Sequence, residues 1–116
     1  MITIFGRPCS KKNSRRNYGH ISLPSKAYEA FHKDALWQLK KYKKQYKGML
    51  YVWYTFYQKG KMTQDADNAI ASINDILQDA GIIEDDKMIL SGSFQVVRGW
   101  NEWETHIGIH EYEKEM

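Results

Sequence analysis

Several things are scarce in this chain, and each scarcity narrows the reading. There is one cysteine, Cys9, in 116 residues. It cannot form an internal disulfide, and it fits a reducing compartment, cytoplasmic by default. The longest apolar run, residues 49–57, falls far short of the roughly 20 residues that cross a bilayer. The first residues, Met1-Ile2-Thr3-Ile4-Phe5, carry no basic n-region and no cleavage site, so they are expected to be structure and not a signal peptide. No glycine loop of the Walker or dinucleotide kind is present, which argues against a nucleotide cofactor. The four histidines, His20, His32, His106 and His110, lack zinc-like spacing. No internal repeat, linker or low-complexity segment interrupts the chain.

What is present is a folded composition, 42% hydrophobic and 14% aromatic, of a length for one domain over residues 1–116. Acids are almost missing from its first half. Residues 1–61 hold 14 Lys and Arg against 2 acids, a net of +12, while residues 62–116 hold 3 against 12, a net of −9. Two readings follow. One half grips a polyanion while the other holds a cation, or the halves neutralise each other in the folded protein.

Residues 1–7 read as a first strand stopped by Pro8. A polar loop follows, with Lys11, Lys12, Arg15, Arg16 and Tyr18 suited to phosphate contact and base stacking. Residues 20–23 read as a short edge strand closed by Pro24. Ser25 is expected to cap a helix whose stripe is Tyr28, Phe31, Ala35, Leu39, Tyr42 and Tyr46, ended by Gly48. Lys40, Lys41, Lys43, Lys44 and Lys47 bunch in its last turns, more cations than the helix dipole uses, and point to DNA backbone contact. Residues 50–57 are apolar or aromatic on both faces, the pattern of a central strand or an oligomer interface, so Trp53 is expected to be core or dimer contact. Lys59-Gly60-Lys61 then turns the chain.

A second helix is expected over residues 67–80, with Ile70, Ile73, Leu77 and Ala80 buried and Asp67, Ala71, Asn74 and Gln78 opposite. Gly81 ends it. Strands over residues 88–97 and 103–110, around a turn at Gly99-Trp100-Asn101, complete the order ββαβαββ. The expectation is an α+β domain with two helices and a mixed or mostly antiparallel sheet.

Five carboxylates flank the second helix: Asp65 and Asp67 before it, Glu84, Asp85 and Asp86 after it. Separately, these read as a helix cap and an acidic turn. Together, opposite a basic half, they form a cradle for a hard cation such as Mg²⁺, which needs few carboxylates beside water and substrate phosphate. That chemistry is phosphodiester hydrolysis.

At these residues the sequence resembles the RusA family of Holliday-junction resolvases, small phage-associated endodeoxyribonucleases. The matching pattern is Asp-x-Asp-Asn, an Asp inside the helix, a Gly, then paired acids: Asp65, Asp67, Asn68, Asp75, Gly81, Asp85 and Asp86. Pro8-Cys9-Ser10-Lys11-Lys12-Asn13 is a looser version of the family's Pro-x-Ser-Asn-Asn loop. The resemblance implies a homodimer that nicks opposing strands of a four-way junction symmetrically with Mg²⁺, in DNA recombination and repair. Asp65, Asp67 and Asp86 would be the catalytic metal ligands, supported by Asn68 and Asp85, and Lys11, Lys12, Arg15, Arg16 and Lys61 would bind DNA. Two positions depart from the family. Its lysine one turn after the second Asp is Ala71 here, and the basic residue before the first Asp is Gln64. Either Lys61 or Lys87 substitutes, or the enzyme is slow, or the chain binds branched DNA without cutting it. A protein-binding adaptor whose two charged halves serve assembly is a further reading.

Overall fold

A computed structural model describes residues 1–10, 15–18, 21–61 and 63–112, without the side chains of residues 15–18 and 21–24. The chain forms β1 (Ile2–Phe5), β2 (Arg15–Tyr18), β3 (Ile21–Pro24), α1 (Lys26–Leu39), β4 (Leu50–Lys59), α2 (Ala66–Asp79), β5 (Ile89–Trp100) and β6 (Glu104–Glu111), with a 3₁₀ turn at Asp86–Met88. A four-stranded sheet in the order β1-β6-β4-β5 carries both helices on one face. β4 pairs with β5 in parallel and with β6 antiparallel, and β6 pairs antiparallel with β1, so the sheet is mixed. This is the expected α+β domain, running βαβαββ once the small β2–β3 ribbon is set aside. No helix among the described residues is long and apolar enough to cross a membrane.

The alternation of β4 explains its central place. Leu50, Val52, Tyr54 and Phe56 point into the core with Ile2 and Ile4 of β1, Ile107 and Ile109 of β6, and Ile73, Ile76 and Leu77 of α2. The other face has no helix over it. Trp53 there is 42% exposed, lying against Gly108 and His110, so of the two expectations, core or dimer contact, the core one does not hold. Tyr57 sits on the same side against Trp100 and His106. β5 and β6, although consecutive, do not pair with each other; β4 lies between them.

α1 begins as read, with Ser25 Oγ accepting a hydrogen bond from the Tyr28 amide at 3.1 Å and Tyr28, Phe31, Ala35 and Leu39 buried. It stops at Leu39, one to two turns earlier than the tyrosine stripe suggests. Continued helix would stack Lys40 on Lys43 and Lys44, and Lys43 on Lys47, and like charges at these spacings destabilise helix. The backbone instead crosses to the sheet side, where the Tyr46 amide donates to Ile82 O at 2.8 Å. Tyr42 and Tyr46 still pack on the core, and the Tyr42 hydroxyl accepts from the Thr3 amide at 3.1 Å. Lys40 therefore caps the helix and Lys41 lies in the turn after it, while Lys43, Lys44 and Lys47 lie on non-helical backbone beyond the reach of the helix dipole. Lys40 and Lys44 ride over the rings of Trp37 and Tyr46 at 4.8 and 4.5 Å.

Two further expectations change. The segment read as a polar loop contains β2, and the short edge strand is present at residues 21–24, where among the described residues it pairs only with β2, apart from the main sheet. Within α2 the buried face is Ala69, Ser72, Ile73, Ile76 and Leu77, whereas Ile70 is half-buried and Ala80 exposed. The end of α2 is as read. Gly81 adopts φ +75°, its amide bonds Gln78 O at 3.0 Å, and the Ile82 amide bonds Leu77 O at 3.0 Å, a Schellman closure that drops Ile82 into the core.

Glycines hold the outer sheet together. A Cβ on Gly92 would fall on the Val52 carbonyl oxygen across the parallel pair, whereas one on Gly108 would meet the Trp53 ring at 2.6 Å. Backbone cannot yield, but a half-exposed ring can. Gly92→Ala should therefore cost about 3 kcal/mol or more in urea unfolding and Gly108→Ala about 1 kcal/mol; equal losses would show that β5 shifts freely on β4.

Candidate functional site

α2 presents two polar stripes beside its buried face. Spacing of 3.6 residues per turn puts Asp67, Ala71, Asn74 and Gln78 on one, and Asn68, Ser72, Asp75 and Asp79 on the other. The sequence-predicted site is built at the two ends of this helix.

At the N-terminal end Asp65 occupies the N-cap position with extended backbone, φ −65° and ψ 135°, but its side chain makes no capping hydrogen bond. An N-cap carboxylate ordinarily accepts from the first-turn amides. Here it is left to line a cleft of about 650 Å³ with Arg7, Cys9, Ser10, Gln64 and Asn68. The cleft wall is the segment between β1 and the basic ribbon, and three side chains fasten it. Buried Ser72 accepts from the Cys9 amide and donates to the Cys9 carbonyl, both at 3.1 Å. Gln64 donates to the Pro8 carbonyl. Buried Gln58 donates to the Gln64 carbonyl at 3.1 Å. Arg7 reaches the Thr63 carbonyl at 3.4 Å and lies over the Trp103 ring at 5.0 Å. A guanidinium and a carboxylate that makes no capping hydrogen bond thus border one opening.

At the other end, the Schellman turn delivers Asp85 and Asp86 back to α2. The Asp86 amide donates to Gln78 Oε1 at 2.9 Å, and Asp85 Oδ1 accepts from the Lys87 amide at 2.9 Å. The Lys87 amide, with a hydrogen bond from the Asp86 carboxyl, holds the Asp85 carboxyl below the usual range. Partial burial, then the bond and charge of Asp85 and the charge of Asp75, push Asp86 up. The opposite shifts of these neighbouring carboxyls reflect crowded negative charge, which a bound divalent cation would relieve. Nearby, the Tyr54 hydroxyl donates to Asn74 Oδ1, and burial pushes this phenol up to about 12, so it remains a donor.

The predicted residues divide accordingly. Asp85 and Asp86 are brought together; Asp65 and Asn68 share the cleft; Asp67 is exposed in the first turn of α2. About 16 Å of helix axis, at roughly 1.5 Å per residue, separates Asp67 from Gln78, the anchor of Asp86. Ala71 lies exposed on the stripe between them. Asp65, Asp67 and Asp86 therefore do not form a closed cage, and their exposure matches a largely hydrated hard cation held by one or two carboxylates at a time. Lys87 stands beside the acids, its charge acting on both. Lys61 is exposed on the turn after β4. Arg15 and Arg16 lie on β2, and Lys11 and Lys12 lie outside the described residues. Sequence reasoning missed Arg7 and the Ser72, Gln64 and Gln58 fastenings; a cation directly before Pro8, at the strand end, was the one available signal.

No model of a known protein family matches the chain, and no curated protein sequence matches it significantly.

Removing the Ser72 hydroxyl takes both of its bonds from Cys9. Ser72→Ala should cost about 1–3 kcal/mol and speed labelling of the half-buried Cys9 thiol by a soluble disulfide reagent. Unchanged labelling would mean that Ser72 does not hold the cleft wall.

Proposed function

We propose that the chain is a Mg²⁺-dependent, structure-specific endodeoxyribonuclease. It acts as a homodimer in the cytoplasm, resolving four-way DNA junctions by paired symmetric nicks in recombination and repair. The observation that carries this reading is that Asp65, whose side chain makes no capping hydrogen bond, lines the cleft at the start of α2 together with Arg7. Its support from sequence is the spacing of Asp65, Asp67, Asn68, Gly81, Asp85 and Asp86, which resembles the RusA family.

In this reading Asp65 and Asp67, at the start of α2, and Asp86, at its far end, would hold largely hydrated cations, one or two carboxylates at a time. Bound there, Mg²⁺ supplies polarisation of the phosphoryl oxygens and acidification of water. The chain's own residues do the rest. Arg7 sits where it can neutralise a phosphate entering the cleft, and it takes the part that the family gives to the lysine absent at Ala71. Lys87 offers a second cation beside Asp86. Lys11, Lys12, Arg15 and Arg16 would supply backbone contacts that read junction shape, not sequence.

A second reading has its own observation. Ala71 is exposed and apolar at the middle of the stripe between Asp67 and Asn74, so no cation from α2 itself reaches a phosphate there. A junction-binding protein with impaired cleavage would have that feature.

Cleavage of a labelled four-way junction with Mg²⁺ and with EDTA, beside linear duplex, separates the two readings. Paired symmetric nicks in Mg²⁺ alone are expected; tight binding without nicks would favour the second. Asp67→Asn should abolish nicking and leave junction affinity within about twofold, and persistent nicking would remove Asp67 from the metal site. Replacing Lys11, Lys12, Arg15 and Arg16 with alanine should weaken binding and lower the slope of log affinity against log salt by up to about 3–4. An unchanged slope would return these residues to a solvated role.

A further inference from the structure

The stripe of α2 that faces α1 carries a second cluster, whose Asp75 also acts by its charge on Asp86. Asp75 and Asp79, one turn apart on α2, meet His32 of α1. Ligand atoms from the three side chains all lie within 4.8 Å of one another, the one such group of His, Cys, Asp and Glu among the described residues. His32 Nε2 is 3.0 Å from Asp79 Oδ2. Ligand atoms on one metal ion, each about 2.0–2.2 Å from it, stand roughly 3–3.5 Å apart, so His32 and Asp79 need almost no adjustment and Asp75 needs a modest rotation. We propose that His32, Asp75 and Asp79 form a binding site for a borderline divalent metal of the Zn²⁺ type that clips α1 to α2.

The donor set decides the class of ion. One imidazole and two carboxylates suit Zn²⁺, Co²⁺ or Mn²⁺, whereas Mg²⁺ takes oxygen ligands and gains nothing from His32. The outer shell is already present. The Tyr28 hydroxyl donates to Asp75 Oδ2 at 3.2 Å and lies 3.3 Å from His32 Nδ1, and the two rings stack with centroids 5.2 Å apart. Tyr28 therefore orients one carboxylate ligand and leaves His32 Nε2 as the ligating nitrogen. Access is open on one side, since the His32 and Asp79 side chains are 19% and 46% exposed, which leaves room for a water to complete a tetrahedron. The histidines show no metal spacing along the chain because the ligands come from two helices 43 residues apart in sequence.

The test is calorimetric titration of the chelator-treated full chain with Zn²⁺, paired with visible absorption of the Co²⁺ form. One equivalent should bind, with the intense bands of a four- or five-coordinate Co²⁺ site, and Zn²⁺ should raise the melting temperature. His32→Ala and Asp79→Asn should each weaken Zn²⁺ at least about tenfold, and Tyr28→Phe about tenfold through loss of the outer shell. Asp79 is half-exposed, so its variant tests the site without a core change. Asp67→Asn should bind Zn²⁺ like the parent, which separates this site from the proposed nuclease centre. No binding, or binding that Asp79→Asn and His32→Ala leave unchanged while Asp67→Asn reduces it, would overturn the proposal and leave His32–Asp79 as a plain polar contact.

Discussion

The parallel pairing of β4 with β5 is the constraint on which the arrangement rests. Two parallel neighbours cannot be joined by a tight turn, so the chain must travel back along the sheet before β5 can start. α2 is that return path. Its N-terminus is left at the end of β4 and its C-terminus at the beginning of β5, and the acidic clusters before and after it are carried to opposite ends of one helix. An antiparallel hairpin at this point would have given the same carboxylates no shared scaffold. The close approach of Gly92 to the Val52 carbonyl shows how tightly that pairing is made.

The helix then distributes chemistry by its phase. Its apolar side seals the core through Ile73, Ile76 and Leu77. One polar stripe leads from Asp67 past Ala71 to Gln78, where Asp86 is tethered. The other stripe fastens the cleft wall through Ser72 and meets α1 through Asp75 and Asp79. A helix buried on one side and used differently on the other two must keep its rotation fixed. The Gly81 closure at one end and the Ser72–Cys9 pair near the other supply that restraint.

What was legible in the sequence was local and periodic. The α1 cap at Ser25, the alternation of β4 and the stop at Gly81 each depend on a few neighbouring residues, and each is found in place. The misreadings arose where distant contacts decide. The tyrosines at 42 and 46 keep a helical spacing, yet their segment is drawn off by Ile82 and repelled by its own lysines. β2 carries no hydrophobic alternation in Arg15-Arg16-Asn17-Tyr18 to announce a strand, although two residues, Gly19-His20, separate it from β3 as in a short hairpin. Asp65 and Asp67 were visible as a motif, but their distance from Asp86 along α2 was not. Arg7 and the meeting of His32 with Asp75 and Asp79 exist only once β1 and α1 have docked.

The register of β1 against β6, with Ile2 opposite Ile107, joins the earliest and latest strands of the sheet. During synthesis from the N-terminus, β1 has no neighbour in the sheet until β6 has been made. The wall from Arg7 to Ser10 hangs from β1, so the opening beside Asp65 takes shape last, after β4, α2 and β5 can already associate. A chain made only as far as β5 therefore carries the acids of α2 while β1, from which the wall hangs, still has no strand beside it.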